Sequence, residues 1–134
     1  FHILGEKLPD RAALIYAEMD GTPVAGALNL IGSDTLFGRN WGCLGDFRFL
    51  HFECCYYRAI DFAIERGLKW VEAGAQGHHK IQRGYLPRKT YSAHWIADPR
   101  LESAIADFVQ REAYQVGHEM TQLEAEYSPF RQEN

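Results

Sequence analysis

Cysteine, methionine and proline are scarce in this chain: three, two and five in 134 residues. The cysteines are Cys43, Cys54 and Cys55, with no CxxC spacing, and adjacent cysteines rarely bridge each other. Neither a disulfide framework nor a thiolate zinc site is expected, and this usage fits a reducing cytoplasm. No apolar run approaches the ~20 residues that a membrane-crossing helix needs. No secretory leader is expected, and the sequence holds no internal repeat or low-complexity segment. Basic excess is absent too: the net charge is -4, which argues against a general electrostatic footprint for nucleic acid. The chain also lacks an initiator methionine and opens on Phe1-His2-Ile3-Leu4. It is therefore expected to be the C-terminal part of a longer protein, with the N-terminal half as its first partner.

What is present suits one globular domain with a core. Hydrophobic residues make up 46% and charged residues 24%, and eight Phe, seven Tyr and three Trp supply bulk. Residues 1–11 read as a polar lead-in, residues 12–127 as the domain, and residues 128–134 as a tail.

The strand signals come first. Ala12 to Met19 is an extended apolar run. Asp20-Gly21 follows, a pair that favours a two-residue hairpin because both positions tolerate positive φ. Thr22 to Ile31 is the return strand, with Gly26 marking a bulge or a close backbone approach. Gly32-Ser33-Asp34 is a second turn, and Thr35 to Cys43 a third strand. The three strands are apolar on both faces, which predicts a meander covered on both sides. Residues 50–66 carry helical spacing, with Phe52, Cys55, Tyr56, Ala59, Ile60 and Ala63 on one face and Arg66-Gly67 as the stop. His51-x-Glu53 at the helix start reads as a capping arrangement. Leu68 to Ala73 is the next strand and Thr90 to Ala97 another. Asp98-Pro99 opens the last helix, with Asp as N-cap and Pro in the first turn. Its stripe runs through Leu101, Ile105, Phe108, Val109, Val116, Met120, Leu123 and Tyr127, with Gly117 weakening the middle.

The chemistry-bearing residues gather between the last two strands. Gly74-Ala75-Gln76-Gly77-His78-His79-Lys80-Ile81-Gln82-Arg83-Gly84-Tyr85-Leu86-Pro87 breaks a strand with glycines and fills the break with amide, imidazole and cationic groups. Polar loops at strand ends are common ligand sites, so this one is the candidate site. His51, Glu53, His78, His79 and His94 would suffice in number for a metal, but no His pair stands at i, i+4 on a helix, and no metal is expected.

Three antiparallel strands, a helix, a strand, a polar loop, a strand and a long helix resemble the second half of a GNAT-type acyltransferase core. The implied fold class is α+β, a GNAT-like partial core. Asp20-Gly21-Thr22-Pro23-Val24-Ala25-Gly26-Ala27-Leu28 is similar to a strand turn of that superfamily. The helix from His51 to Gly67, the stretch from Glu72 to Pro87, Thr90 to Ile96, and Ser128-Pro129-Phe130-Arg131 resemble the FemAB-like family. The resemblance covers nearly everything after residue 12. It implies a bacterial peptidoglycan biosynthesis or recognition protein. In the Fem relatives it implies transfer of an amino acid from aminoacyl-tRNA to the amine of a peptidoglycan precursor.

That chemistry assigns roles. Amine attack on an ester needs a base, a polarised carbonyl and alignment of the two substrates. His79 and Glu72 are the candidate bases. Lys80 and Arg83 would bind phosphate or polarise an oxyanion. Gln76 would donate to a carbonyl, and Tyr85 and Trp95 would stack on a sugar or base. The donor implied is aminoacyl-tRNA or an acyl-CoA. Two departures stand out. Gly42-Cys43-Leu44-Gly45-Asp46-Phe47-Arg48-Phe49-Leu50 lacks the R/Q-x-x-G-x-G/A loop that holds acetyl-CoA. Ile81-Gln82-Arg83-Gly84-Tyr85 carries Gln82 where the Fem segment F-K-x-G-F has lysine. The alternative reading is a non-catalytic binding module for a cell-wall precursor or a protein. Half a GNAT core leaves a sheet edge open, so self-association through that edge or through the long helix is expected.

Overall fold

Asp20 and Gly21 both take positive φ, 52° and 77°, the conformation that a right-twisted two-residue hairpin requires. They join β1 (Ala12–Met19) to β2 (Thr22–Ile31) in the register Met19↔Thr22 through Ala12↔Leu30. The ladder slips between Ala17 and Glu18, where Val24 is the extra residue on β2. Gly26 thus marks neither the bulge nor the close backbone approach expected there. It pairs with Tyr16, and a Cβ there would meet nothing nearer than Leu14 Cδ1 at 3.5 Å. β3 (Thr35–Cys43) pairs antiparallel with β2, with a second bulge at Arg39 between the pairs Leu28↔Asn40 and Asn29↔Gly38. β4 (Trp70–Glu72) is shorter than expected and lies parallel to β3, completing a mixed sheet in the order β1-β2-β3-β4.

The computed structural model describes residues 1–74 and 78–130. They fall into two compact units, Phe1–Gln76 and Gly77–Asn134. Residues 1–11 are more than a lead-in. α1 (His2–Lys7) and a 3₁₀ turn (Pro9–Arg11) precede the sheet, and Arg11 Nη1 donates to the Gly32 carbonyl at 3.1 Å. That bond pins the turn beside the β2–β3 connection.

Directly opposed residues share a sheet face. Ala13, Asn29, Ala27 and Leu36 point to one face and are buried, Leu36 completely. The Asn29 amide satisfies itself by donating to the Ala27 carbonyl at 3.2 Å. Leu14 and Tyr16 point to the other face and are exposed, so among the described residues the expected cover of that face is not found over them. The buried face meets a helical run made of α2 (Leu50–Phe52), a π-helical turn (Glu53–Tyr57) and α3 (Arg58–Glu65). A π turn holds one residue more than an α turn and shifts the phase of what precedes it. Tyr56, Ala59 and Ala63 are buried as the spacing predicts, but upstream it is Cys54 rather than Cys55 that turns fully inward.

In the second unit α4 (His78–Ile81) is a single turn, and α5 (Pro99–Tyr127) is a helix of 29 residues. The Asp98 carboxylate caps α5, accepting from the Arg100 backbone N–H at 2.9 Å. Thr90 to Ala97 alternates like a strand but forms none. A strand is stable only when another strand pairs with it, and among the described residues none does. None of the α5 residues is buried.

Candidate functional site

The polar stretch after β4 is organised around one helical turn. Ile81, 6% exposed, anchors α4. Around that anchor the chain folds back: the Arg83 and Tyr85 N–H groups both donate to the Lys80 carbonyl, at 2.9 and 3.1 Å. Arg83 Nη1 donates to the His79 carbonyl at 2.7 Å, so the guanidinium locks the turn that carries the imidazole. Gly84 closes the turn with φ 89°. A Cβ there would stand 3.2 Å from Phe130 Cζ, so both the backbone sign and the ring contact call for glycine. Phe130 itself is set by its N–H donating to Ser128 Oγ at 3.3 Å.

The side chains divide by environment. His79 is exposed, while Lys80, Arg83 and Tyr85 are half-buried. Burial lowers the Lys80 pKa from its ordinary value, because a partly desolvated ammonium sheds its proton more readily. A turn of this kind can offer a proton acceptor, a cation and a guanidinium from one short segment.

The remaining expected site residues are not part of that turn. Glu72 ends β4 opposite Phe37, on the sheet face shared with Thr35 and Trp70, and belongs to the first unit. His79, Lys80, Arg83, Tyr85 and Trp95 belong to the second. Gln76 lies outside the described residues. Trp95 is 88% exposed on the irregular stretch, next to His94, whose Nε2 is 3.1 Å from Ser92 Oγ.

A second cluster was not visible from spacing. The His51 ring sits among Trp41 at 5.4 Å, Tyr56 at 5.4 Å and Phe52 at 5.6 Å, each edge-on. These residues come from the end of β3 and the start of the helical run. Just before it, Phe49 takes a left-handed φ of 66°, uncommon for a bulky residue. His51-x-Glu53 does not cap the helix. The cap position is Phe49, with no side-chain bond, and Glu53 Oε1 instead accepts from Arg58 Nε at 2.8 Å. Arg58 also reaches Asp61 at 3.0 Å, and these carboxylates raise its pKa, the Glu53 hydrogen bond foremost. The only sequence signal for the cluster was the density of aromatics after residue 47.

The thiols beside it are poor nucleophiles. Burial raises the Cys54 pKa, with Glu53 and Cys43 adding to the effect, and burial with Cys54 nearby pushes Cys55 up to about 11. Both remain protonated near neutral pH. Among the described residues no three His, Cys, Asp or Glu side chains come together as metal ligands, and no helix is long and apolar enough to cross a membrane.

Sheet, helical run and polar turn define an α+β protein with a four-stranded mixed sheet and a long C-terminal helix. The chain belongs to the FemAB-like family, described as peptidoglycan biosynthesis/recognition, whose family model matches residues 1–132. No curated protein and no solved structure matches it.

Proposed function

We propose that this chain is a GNAT-like part of an N-acyltransferase that moves an activated acyl or aminoacyl group onto an amine of a peptidoglycan precursor. Family membership supports the cell-wall context. An antiparallel meander joined through a helical run to a parallel strand supports the GNAT-like reading. The observation that carries the chemistry is the Lys80–Tyr85 turn, where Arg83 is tied to the His79 carbonyl and the His79 imidazole stays open to solvent.

In this reading the His79 imidazole takes the proton from the attacking amine. The amine nitrogen then bonds to the acyl carbon. Lys80 and Arg83 stabilise the negative charge that develops on the acyl oxygen. As the intermediate collapses, the acyl carbon–leaving-group bond breaks, and the leaving oxygen or sulfur takes the proton that the His79 imidazole had accepted from the nitrogen. Glu72 is the alternative base. Gln76 donates to the donor carbonyl, and Tyr85 and Trp95 stack against a sugar or base. The donor is aminoacyl-tRNA or an acyl-CoA.

Two observations favour a binding module instead. Gln82 stands where the Fem segment carries lysine, and Gly42–Leu50 lacks the acetyl-CoA loop motif. The two readings separate when the protein, with its native flanking sequence, is mixed with charged tRNA or acyl-CoA and a muropeptide amine. Turnover that falls about 100-fold or more in His79→Ala supports the enzyme. Saturable muropeptide binding without turnover for any donor assigns the module.

A further inference from the structure

We propose that the stretch from Lys80 to Trp95 is a peripheral docking surface for an anionic lipid bilayer. From Ala73 to Ala97 the chain has no Asp or Glu, while Lys80, Arg83, Arg88 and Lys89 fall within it. Four of the fourteen basic residues and none of the eighteen acidic ones lie there, so the stretch carries +4 in a chain of net charge -4. Arg88 and Lys89 are exposed, and close by stand Tyr91, 90% exposed, and Trp95, 88% exposed. The segment beyond Gly84 has no regular structure until α5, so its backbone can follow a flat surface.

Cations and exposed Trp or Tyr are the combination that a bilayer interface selects. The rings settle at headgroup depth, with the apolar body inward and the polar edge outward. Each Lys or Arg near an anionic leaflet strengthens binding several-fold. A single-stranded nucleic acid is the other polyanion that basic residues and rings attract. It tracks a groove and stacks its bases on a protein platform. Tracking a strand takes a groove lined by successive rings, whereas a soft interface needs only exposed rings such as Tyr91 and Trp95. Docking of this kind goes beyond the acyl-transfer reading, and its readout involves neither donor nor turnover.

The test is co-sedimentation of the full chain with vesicles of phosphatidylcholine alone, or of phosphatidylcholine with one-third phosphatidylglycerol. The proposal expects partition onto the anionic vesicles only, reversed by high salt. In Arg88→Gln/Lys89→Gln the partition coefficient falls about 30-fold. Tyr91→Ala/Trp95→Ala weakens it as well. Arg39→Gln/Arg48→Gln, which removes the same charge from the first unit, leaves it unchanged. Matching circular dichroism shows that each variant is folded. Absence of partition, equal partition onto both vesicles, an equal loss in the Arg39/Arg48 variant, or binding to oligouridine without binding to vesicles overturns the proposal.

Discussion

The two compact units differ in what holds them and in what they carry. The first buries a sheet face and a helix face against each other, with Leu36, Ala27, Tyr56, Ala59 and Ala63 at the centre. Its polar interior group, Asn29, is satisfied within its own strand. In the second unit α5 buries nothing completely, and Ile81 is the buried anchor among the described residues. Yet that lightly packed unit holds His79, Lys80, Arg83 and Tyr85 on one turn. A packed sheet gives rigidity and leaves few polar groups to spare. A short turn braced by backbone carbonyls holds polar groups in place without burying them.

The sharpest way to break this contrast is a pair of truncations. Leu36→Ala is expected to lower unfolding stability by about 3 kcal/mol, through a lost side chain and the cavity it leaves. Phe108→Ala on α5, where the ring is 54% exposed, is expected to change it by no more than about 0.5 kcal/mol. Denaturant titration reads both, and an equal loss would mean that α5 is packed as deeply as the sheet. A smaller effect is expected at Gly84. Gly84→Ala forces an L residue into φ 89° and drives its Cβ against Phe130, at a cost of about 1–2 kcal/mol by the same titration. An unchanged midpoint would show that the turn is not held as described.

The smallest effect concerns the α5 cap. The Arg100 backbone N–H, followed by its side chain, holds the Asp98 carboxyl below the ordinary carboxylate pKa. The cap's contribution to stability is therefore complete above that ordinary value and is lost as pH falls through the lowered one. Asp98→Asn keeps a capping oxygen and removes the titration. Helical circular dichroism followed into strong acid should show one transition fewer in the variant, with little change at neutral pH.

Where local chemistry decides structure, the sequence was readable. Asp20-Gly21 and Asp98-Pro99 mark their turn and cap without tertiary help, and β1, β2, β3 and α5 have the limits that those signals imply. Where partners decide, it was not. Thr90 to Ala97 has strand alternation but pairs with no strand among the described residues, and α1 forms in a stretch that reads as a polar lead-in. The π turn left no mark in the pattern, so Cys54 and Cys55 exchanged places. The His51 cluster joins Trp41 to residues ten and fifteen positions later, a contact that only the packing of β3 on the helical run creates. For the site, the glycine spacing picked out the turn, but only folding shows that Arg83 braces the His79 carbonyl and that Glu72 stands in the other unit.

The most direct measurement compares the two histidine neighbourhoods in one assay: single-turnover transfer of a labelled acyl group to a muropeptide amine. If the polar turn does the chemistry and the aromatic cluster only packs, Arg83→Gln loses most of the rate while folded His51→Gln keeps it. Loss in His51→Gln with full activity in Arg83→Gln would move the reaction into the first unit and contradict the account.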